Sequence, residues 1–494
     1  MSTSDITISK VDEAYIHVHC ENSIARELSE HFTFEVPGAR FMPAFKRKVW
    51  DGKLRLFNSK NHQIYAGLVS KIKQFALRSN YTISVEKELE ETDELSLTEA
   101  SEFIKSLNIP HEPRDYQIRG LALAVRNNRC VLISPTASGK SLIAYMITRW
   151  YNKRTLILVP TVSLVTQLVK DFKEYGYTGE IYGVMSGKDK FDKSAVIVST
   201  WQSMYEQLPE FFDNFEVVIG DEAHLFKAKS LSAIMCNMRN TKYRFGMTGT
   251  LDGAEVHELV LEGLFGCVER VAKTEELIER GSLASLDIKI LVLRHPPGTP
   301  KPETYQDELE YLVGCESRNK FLRNLVLSLH GNTLVLYAYV EKHGMVLHKM
   351  INDKAPERIV HFVSGGTNAS DREDVRIDTE DGIDNIIVAS YGTFATGINI
   401  KNLHNIVFAS PSKSKIRVLQ SIGRGLRKTE TKLSCKLFDV ADDICSTKNG
   451  GNRNFTLNHL GDRVKMYNEE GFQYDMHVIK LKEKDLGSPL YQTM

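Results

Sequence analysis

Residues 134–141 read Ser-Pro-Thr-Ala-Ser-Gly-Lys-Ser, directly after the apolar run 130–133 and before the apolar-periodic stretch 142–150. A strand, a tight loop and a helix opening on Gly-Lys-Ser make a phosphate cradle. In the loop Pro135-Thr136-Ala137-Ser138-Gly139, the backbone N–H groups of all but Pro135, together with the helix N-terminus, face the anion. Lys140 supplies a point charge for the β/γ-phosphates, Ser141 a hydroxyl suited to Mg²⁺, and Gly139 lets the backbone approach closely. Ser134 stands where the strict pattern has glycine. The bland alternative is an ordinary strand–helix turn, and the flanking strand and helix favour the cradle.

A second chemical signal is Val217-Val-Ile-Gly-Asp-Glu-Ala-His224. An apolar strand ending on two adjacent carboxylates is costly unless those carboxylates have a partner. Asp221 suits Mg²⁺ through its waters, and Glu222 suits polarisation of an attacking water. A packing role is the simpler expectation for His224. A third signal lies at residues 40–55, where Arg40, Lys46, Arg47, Lys48, Lys53 and Arg55 stand against the single acid Asp51. Phe41, Phe45 and Trp50 are interleaved. Lys46, Arg47 and Lys48 fit phosphate contacts, and Trp50 fits stacking on a base. A basic hairpin with core aromatics is the alternative.

These residues need a scaffold, and the apolar pattern supplies one. Residues 1–85 alternate short strand-like runs with one helical stretch and read as a small α+β module. Between 86 and 102 there are eight acids and one lysine, expected as a solvated linker, and Ser96 with Glu99 forms a capping box for the helix that follows. From 113 to 281, apolar runs near 130, 155, 195, 217 and 243 alternate with amphipathic stretches. That is the signature of a doubly wound parallel sheet covered on both faces. The pattern restarts over 282–455 without a second phosphate loop. Residues 456–494 then read as a helix and a strand docking on the second α/β domain. The linker segment is 86–112. The fold class expected is α/β, with two doubly wound parallel-sheet domains and a small N-terminal α+β module.

The set SPTASGKS, DEAH, MTGT (247–250) and QSIGRGLR (420–427) occurs in the order used by superfamily 2 helicases and translocases. Over about residues 110–430 the chain resembles that superfamily, in the branch of Rad25/XPB-type and restriction-translocase motors. The resemblance implies two RecA-like domains and ATP with Mg²⁺ as cofactors. PRDYQ (113–117) is similar to the stretch that holds adenine, implying Arg114 and Gln117 as contacts and Tyr116 as support. LVPTVSLVTQ and STWQS imply that Thr161 and Thr200 meet a nucleic-acid backbone. Thr248 and Thr250 would couple hydrolysis to domain movement, as would Gly397 and Asn399 in VASYGTFATGIN (388–399), where family members often carry an acid in place of Asn399. Gln420, Arg424 and Arg427 would close onto ATP from the second domain, in the manner of arginine fingers. Lys140, Asp221 and Glu222 complete the catalytic set.

The implied activity is an ATP-dependent DNA helicase or translocase acting on branched or duplex DNA: branch migration, fork regression and displacement-loop processing in recombination, replication and repair. An RNA or RNA–DNA hybrid helicase, or a nucleic-acid-binding protein with a vestigial ATPase, are the alternatives.

Composition bounds these readings. The chain has 494 residues, 42% hydrophobic and 26% charged, with Lys+Arg 63 balancing Asp+Glu 63. That excludes wholesale disorder and a uniformly basic coat protein, though a local basic face survives in a neutral total. Seven dispersed cysteines without a CxxC pair fit reduced thiols. No apolar run approaches a membrane span, so no membrane partner is expected. The expected place is cytoplasmic, the host cytoplasm if a phage encodes the chain, with a monomer favoured.

Overall fold

The computed structural model describes residues 4–184, 194–296, 299, 302–397, 400–429, 432–444 and 453–481. The chain divides into two compact units, residues 1–134 with 139–272, and residues 273–494 with 135–138.

The first unit opens with β1 (Ile6–Lys10), β2 (Tyr15–Cys20), β3 (Thr33–Glu35), β4 (Lys53–Arg55), β5 (Gln63–Tyr65) and β6 (Ile83–Val85). These form a four-stranded sheet in the order β5-β2-β1-β6 and a separate two-stranded antiparallel ribbon, β3-β4. Helices Asn22–His31 and Val69–Arg78 supply its buried Ile24, Leu28, Ile72 and Phe75. The acidic stretch is not merely solvated. The Lys10 backbone N–H donates to Glu86 at 2.7 Å, Lys10 Nζ pairs with Glu88 at 2.5 Å, and Lys73 pairs with Glu90. The expected capping box is present: Glu99 N donates to Ser96 Oγ at 3.1 Å and Ser96 N to Glu99 Oε2 at 2.8 Å, opening the helix Leu97–Ser106.

A seven-stranded parallel sheet follows, made of β7 (Arg129–Ile133), β8 (Thr155–Val159), β9 (Ile181–Val184), β10 (Val196–Thr200), β11 (Val217–Asp221), β12 (Tyr243–Thr248) and β13 (Cys267–Arg270), in the order β13-β7-β12-β11-β8-β10-β9. The two strands beyond the apolar runs, β9 and β13, are its edges. An edge strand buries only part of its surface, and β9 and β13 are four residues each and mostly half-buried. The N-terminal module packs directly on this domain, and one apolar core holds Ile64 and Leu68 together with Leu261 and Phe265. Tyr15 Oη donates to Cys236 Sγ at 3.1 Å, and Glu13 N donates to Arg239 O at 2.9 Å. Gly67 lies so close to the helix Glu255–Phe265 that an added Cβ would stand 1.9 Å from Glu262 O.

The second unit carries β14 (Ser285–Arg294), β15 (Thr333–Tyr337), β16 (Val360–Val363), β17 (Ile386–Ser390), β18 (Asn405–Phe408), β19 (Ser434–Asp443) and β20 (Tyr474–Lys480). They form one sheet in the order β16-β17-β15-β18-β19-β14-β20, all neighbours parallel. The tail strand β20 pairs with β14 from Ile288↔Tyr474 to Arg294↔Lys480. The tail helix Phe455–Glu469 is held by buried Arg463, which makes a bidentate pair with Asp439 of β19, both bonds 2.8 Å. Among the described residues, no helix is long and apolar enough to cross a membrane.

Candidate active site

The order β7-β12-β11 puts three motifs at one sheet edge. In register, Ile133 lies opposite Thr248, and Met247 opposite Asp221. The phosphate loop after β7, the Thr-Gly-Thr turn after β12 and the carboxylates ending β11 therefore emerge side by side, at the carboxyl ends of parallel strands where α/β sheets bind ligands. Ser134 N donates to Thr248 O at 2.9 Å and closes the loop onto its neighbour.

The loop runs into the helix Lys140–Tyr151 through two left-handed residues, Ala137 (φ 70°) and Gly139 (φ 79°). For Ala137 that conformation is strained, and such strain gathers at binding sites. Lys140 Nζ donates to Ser134 O at 3.4 Å, folding the ammonium back across the loop. Gln117 explains why Gly139 is required: a Cβ there would stand 2.5 Å from Gln117 Nε2. Gln117 is itself fixed by accepting from Arg114 N at 2.9 Å, in the first turn of the helix Asp115–Asn127, and Arg114 Nη1 donates to Tyr116 Oη at 3.0 Å. The residues expected to hold adenine thus form one rigid corner against the loop.

The carboxylates are held in an unusual setting. Glu222 is left-handed at φ 50°. Asp221 Oδ1 is buried and has no hydrogen-bond partner. Burial, then the neighbouring Glu222, raise the Asp221 carboxyl to about 6, while Lys140 pulls the other way. An orphaned carboxylate oxygen beside a lysine and a phosphate loop fits a cation. Asp221 and Ser141 are the residues of this edge that would hold Mg²⁺.

Two residues escaped sequence reasoning. His224 is buried, its Nδ1 3.1 Å from Thr248 Oγ1 and 3.4 Å from Glu222 Oε2, so it links the carboxylate motif to the Thr-Gly-Thr turn. Thr248 Oγ1 in turn donates to Thr250 O at 3.0 Å. His224 is therefore part of the site as well as of the packing. Tyr175, just after the helix Val162–Glu174, places its hydroxyl 2.8 Å from Ser141 Oγ. No local spacing marks Tyr175; only the tertiary fold brings it to the loop.

Thr161, two residues past β8, and Thr200, the last residue of the adjacent β10, each cap a following helix, receiving Leu164 N and Ser203 N, both at 3.4 Å. Thr200 is buried and its hydroxyl donates to Ser203 Oγ, whereas the Thr161 hydroxyl shares a hydrogen bond with exposed Ser163. The basic stretch sits on the excursion between β3 and β4. Trp50 does not offer a free indole edge: its Nε1–H donates to Lys53 O at 2.8 Å. Phe41 and Val49 are the most exposed apolar residues there, at 67% and 76%.

In the second unit, Gln420, Arg424 and Arg427 lie on and just after the helix Lys415–Gly425. Gln420 is buried, and the Arg424 guanidinium lies 5.3 Å over the Phe394 ring. Lys432, also missed from sequence, is almost fully buried; its Nζ donates to Arg427 O at 2.8 Å and to Gly425 O, capping this helix. Gly397 ends the helix Tyr391–Gly397, and Asn399 lies outside the described residues.

Known proteins resemble the chain along its whole length. A family model for the N-terminal part of the DNA helicase UvsW matches residues 5–86, the res subunit of type III restriction enzymes matches 110–253, and the conserved helicase C-terminal domain matches 317–429. The ATP-dependent DNA helicase uvsW of Enterobacteria phage T4 is 34% identical over 505 aligned positions, covering 97% of this chain and all of that protein. A DNA 3'-5' translocase, XPB2 of Sulfurisphaera tokodaii, is 24% identical over 65% of this chain and 79% of its own length. The crystal structure of T4 UvsW superposes with TM-score 0.52 at 32% identity, over 97% of this chain and 100% of that one. A DNA-bound type ISP restriction-modification enzyme, LlaBIII, shares the fold at 16% identity and TM-score 0.55, over 76% of this chain and 31% of that one. With its motifs on two parallel seven-stranded sheets and similarity running through the N-terminal module, the chain belongs to the UvsW family of superfamily 2 DNA helicases.

Proposed function

We propose that the chain is an ATP-driven DNA helicase that remodels branched DNA, moving Holliday junctions, regressing forks and processing displacement loops in recombination, replication and repair. The observation that carries this reading is the orphaned Asp221 carboxylate beside the phosphate loop, in a chain whose likeness to a DNA helicase includes the N-terminal module. Lys140 and the loop N–H groups bind the phosphates, while Arg114, Tyr116 and Gln117 seat the base. Glu222 accepts the proton of the attacking water. Mg²⁺, when held by Ser141 and Asp221, supplies charge neutralisation at the phosphates. Gln420, Arg424 and Arg427 stabilise charge developing on the transferred phosphoryl group. Thr248, Thr250, Gly397 and Asn399 transmit the change in nucleotide state. Thr161, Thr200, Lys46, Arg47, Lys48 and Trp50 contact the nucleic acid. The chain works as a monomer in the cytoplasm, that of the host if a phage encodes it.

The test is ATPase and strand-remodelling activity across four-way junctions, forks, linear duplexes and RNA–DNA hybrids. Greatest stimulation and remodelling on junctions and forks are expected. Preference for hybrids would replace the branched-DNA reading with a hybrid helicase. No nucleic-acid-stimulated ATPase on any substrate would overturn the motor reading.

A further inference from the structure

The excursion between β3 and β4 carries an open recess of 580 Å³ lined by Arg40, Phe45, Lys46, Lys48, Val49, Trp50 and Asp51. We infer that this recess is a binding site for one unpaired nucleotide of single-stranded DNA, with the aromatic and aliphatic walls taking the base and the cations its phosphate. The inference rests on the reading of the chain as a DNA-remodelling helicase and adds to it the part of the substrate that the N-terminal module recognises.

The chemistry of the walls carries the argument. A continuous duplex presents phosphates outward and keeps its base faces stacked, so a surface that only grips duplex needs cations and gains little from exposed apolar groups. Here the cations alternate with apolar groups that are open to solvent. Val49 and Phe41 are largely exposed, and Met42 and Phe45 partly so. A cluster of exposed apolar side chains rimmed by cations marks an interaction surface. The partner whose chemistry matches is one with a flat apolar face joined to a phosphate, which an unstacked nucleotide provides. The acid in the lining does not spoil the match: Asp51 is held by Arg55, Oδ2 to Nη2 2.5 Å, and its charge is answered there.

The recess is also built in advance. Val36 N donates to Gly52 O at 2.9 Å and closes the neck of the excursion. Gly52, at φ +78°, lets the Phe45 ring pack so tightly that a Cβ would meet it at 3.0 Å. The Trp50 indole is tied to Lys53 O, and the Arg40 guanidinium lies 4.9 Å over the Phe41 ring. Walls fixed before binding spare the ligand the entropy of ordering them. Forks and displacement loops expose unpaired nucleotides, so a site of this kind distinguishes them from uninterrupted duplex.

The experiment measures binding by the full chain, without nucleotide, of a 20-mer oligothymidylate and of a 20-base-pair duplex at one fixed salt concentration. Trp50→Ala is expected to raise the Kd for the oligothymidylate about tenfold, the scale of one lost base–aromatic stack. The same change should alter duplex affinity less than about threefold, and Trp50→Phe should restore single-strand binding. Oligothymidylate should also quench tryptophan emission more in the parent than in Trp50→Phe, which keeps Trp150 and Trp201. Val49→Asp, at a position too exposed to endanger folding, should likewise weaken the single strand more than the duplex. Equal weakening of both DNAs by Trp50→Ala and Val49→Asp would overturn the inference in favour of a charged duplex grip. Unchanged binding of both would overturn it in favour of a different occupant, such as an apolar peptide. A parent chain lacking nucleic-acid-stimulated ATPase would instead defeat the helicase reading itself.

Discussion

Glu308 closes over the start of the tail helix: its Oε1 accepts from Thr456 N at 2.7 Å and from Thr456 Oγ1 at 2.6 Å, while Oε2 takes Phe455 N at 2.8 Å. Asn454 Nδ2 donates to the same carboxylate at 2.7 Å. A fully buried glutamate that makes no ion pair with a lysine or arginine among the described residues is tolerable because it answers the orphan N–H groups and dipole of a helix N-terminus. The tail is therefore bonded into the second unit at the start of its helix, through Glu308, and at its middle, through the Arg463–Asp439 pair.

Glu308→Gln keeps the volume but turns a donor toward donors. It should cost about 2–4 kcal/mol of stability, the cost of buried donors left without acceptors. Chemical denaturation with a probe in the second unit checks this; a change under about 0.5 kcal/mol would show that the carboxylate is dispensable.

Glu222→Gln should still bind ATP but lower the DNA-stimulated turnover by about 10²–10⁴, the usual worth of a general base. Lys140→Ala should lose nucleotide binding as well. Nucleotide affinity by fluorescence titration, beside steady-state ATPase, separates the two. A Glu222→Gln chain that no longer binds ATP would assign Glu222 to structure.

The His295 ring is buried between Asp442 (Nε2 to Oδ1, 3.0 Å) and Tyr311 (Nδ1 to Oη, 2.9 Å), with Arg318 on the same carboxylate. Burial opposes its charge, yet the hydrogen bonds with Asp442 and Cys315 outweigh it and raise the imidazolium to about 9. The folded pKa lies above the unfolded value of about 6.5. The stabilisation is then complete below pH ~6.5 and is lost as pH rises toward 9. The stability gap between the parent and His295→Gln should be wide at pH 6 and narrow by pH 9.5. A gap independent of pH would mean the ring is neutral in the folded chain.

Lys432 holds the last carbonyls of the helix that carries Arg424, and burial lowers its ammonium to about 8. Lys432→Met should leave the helix end without its cation and lower kcat for ATP hydrolysis with little change in KM for ATP. Lys432→Arg should recover part of the loss. Equal kcat in the methionine variant would separate the cap from the arginine pair.

Neutralising Lys46, Arg47 and Lys48 together should weaken duplex binding and reduce the slope of log Kd against log salt by about 2–3, near 0.9 per phosphate contact. An unaltered slope would place these side chains away from DNA.

What the sequence made legible was local or periodic. The phosphate loop, the Asp221–Glu222 pair and the Ser96–Glu99 box each lie within eight residues, and strands buried on both faces announce themselves by composition. The edge strands β9 and β13 did not, because each is only four residues long and mostly half-buried. Tyr175, His224, Lys432 and Glu308 were illegible for another reason. Each is meaningful only through a partner that the chain brings from elsewhere: Tyr175 through Ser141, 34 positions away, and Glu308 through Thr456, 148 away. Trp50 shows the converse. Its type suggested a stacking surface, and the fold spends its N–H on holding the loop.

The interlock between Gly67 and the backbone of Glu262 has a consequence for inheritance. Two backbones that touch cannot be separated by exchanging side chains, so the module and the motor surface beneath it must change together. A module transplanted onto a motor lacking that hollow would have no seat, and a motor stripped of its module would expose a face evolved to be covered. The pair is thus one heritable part.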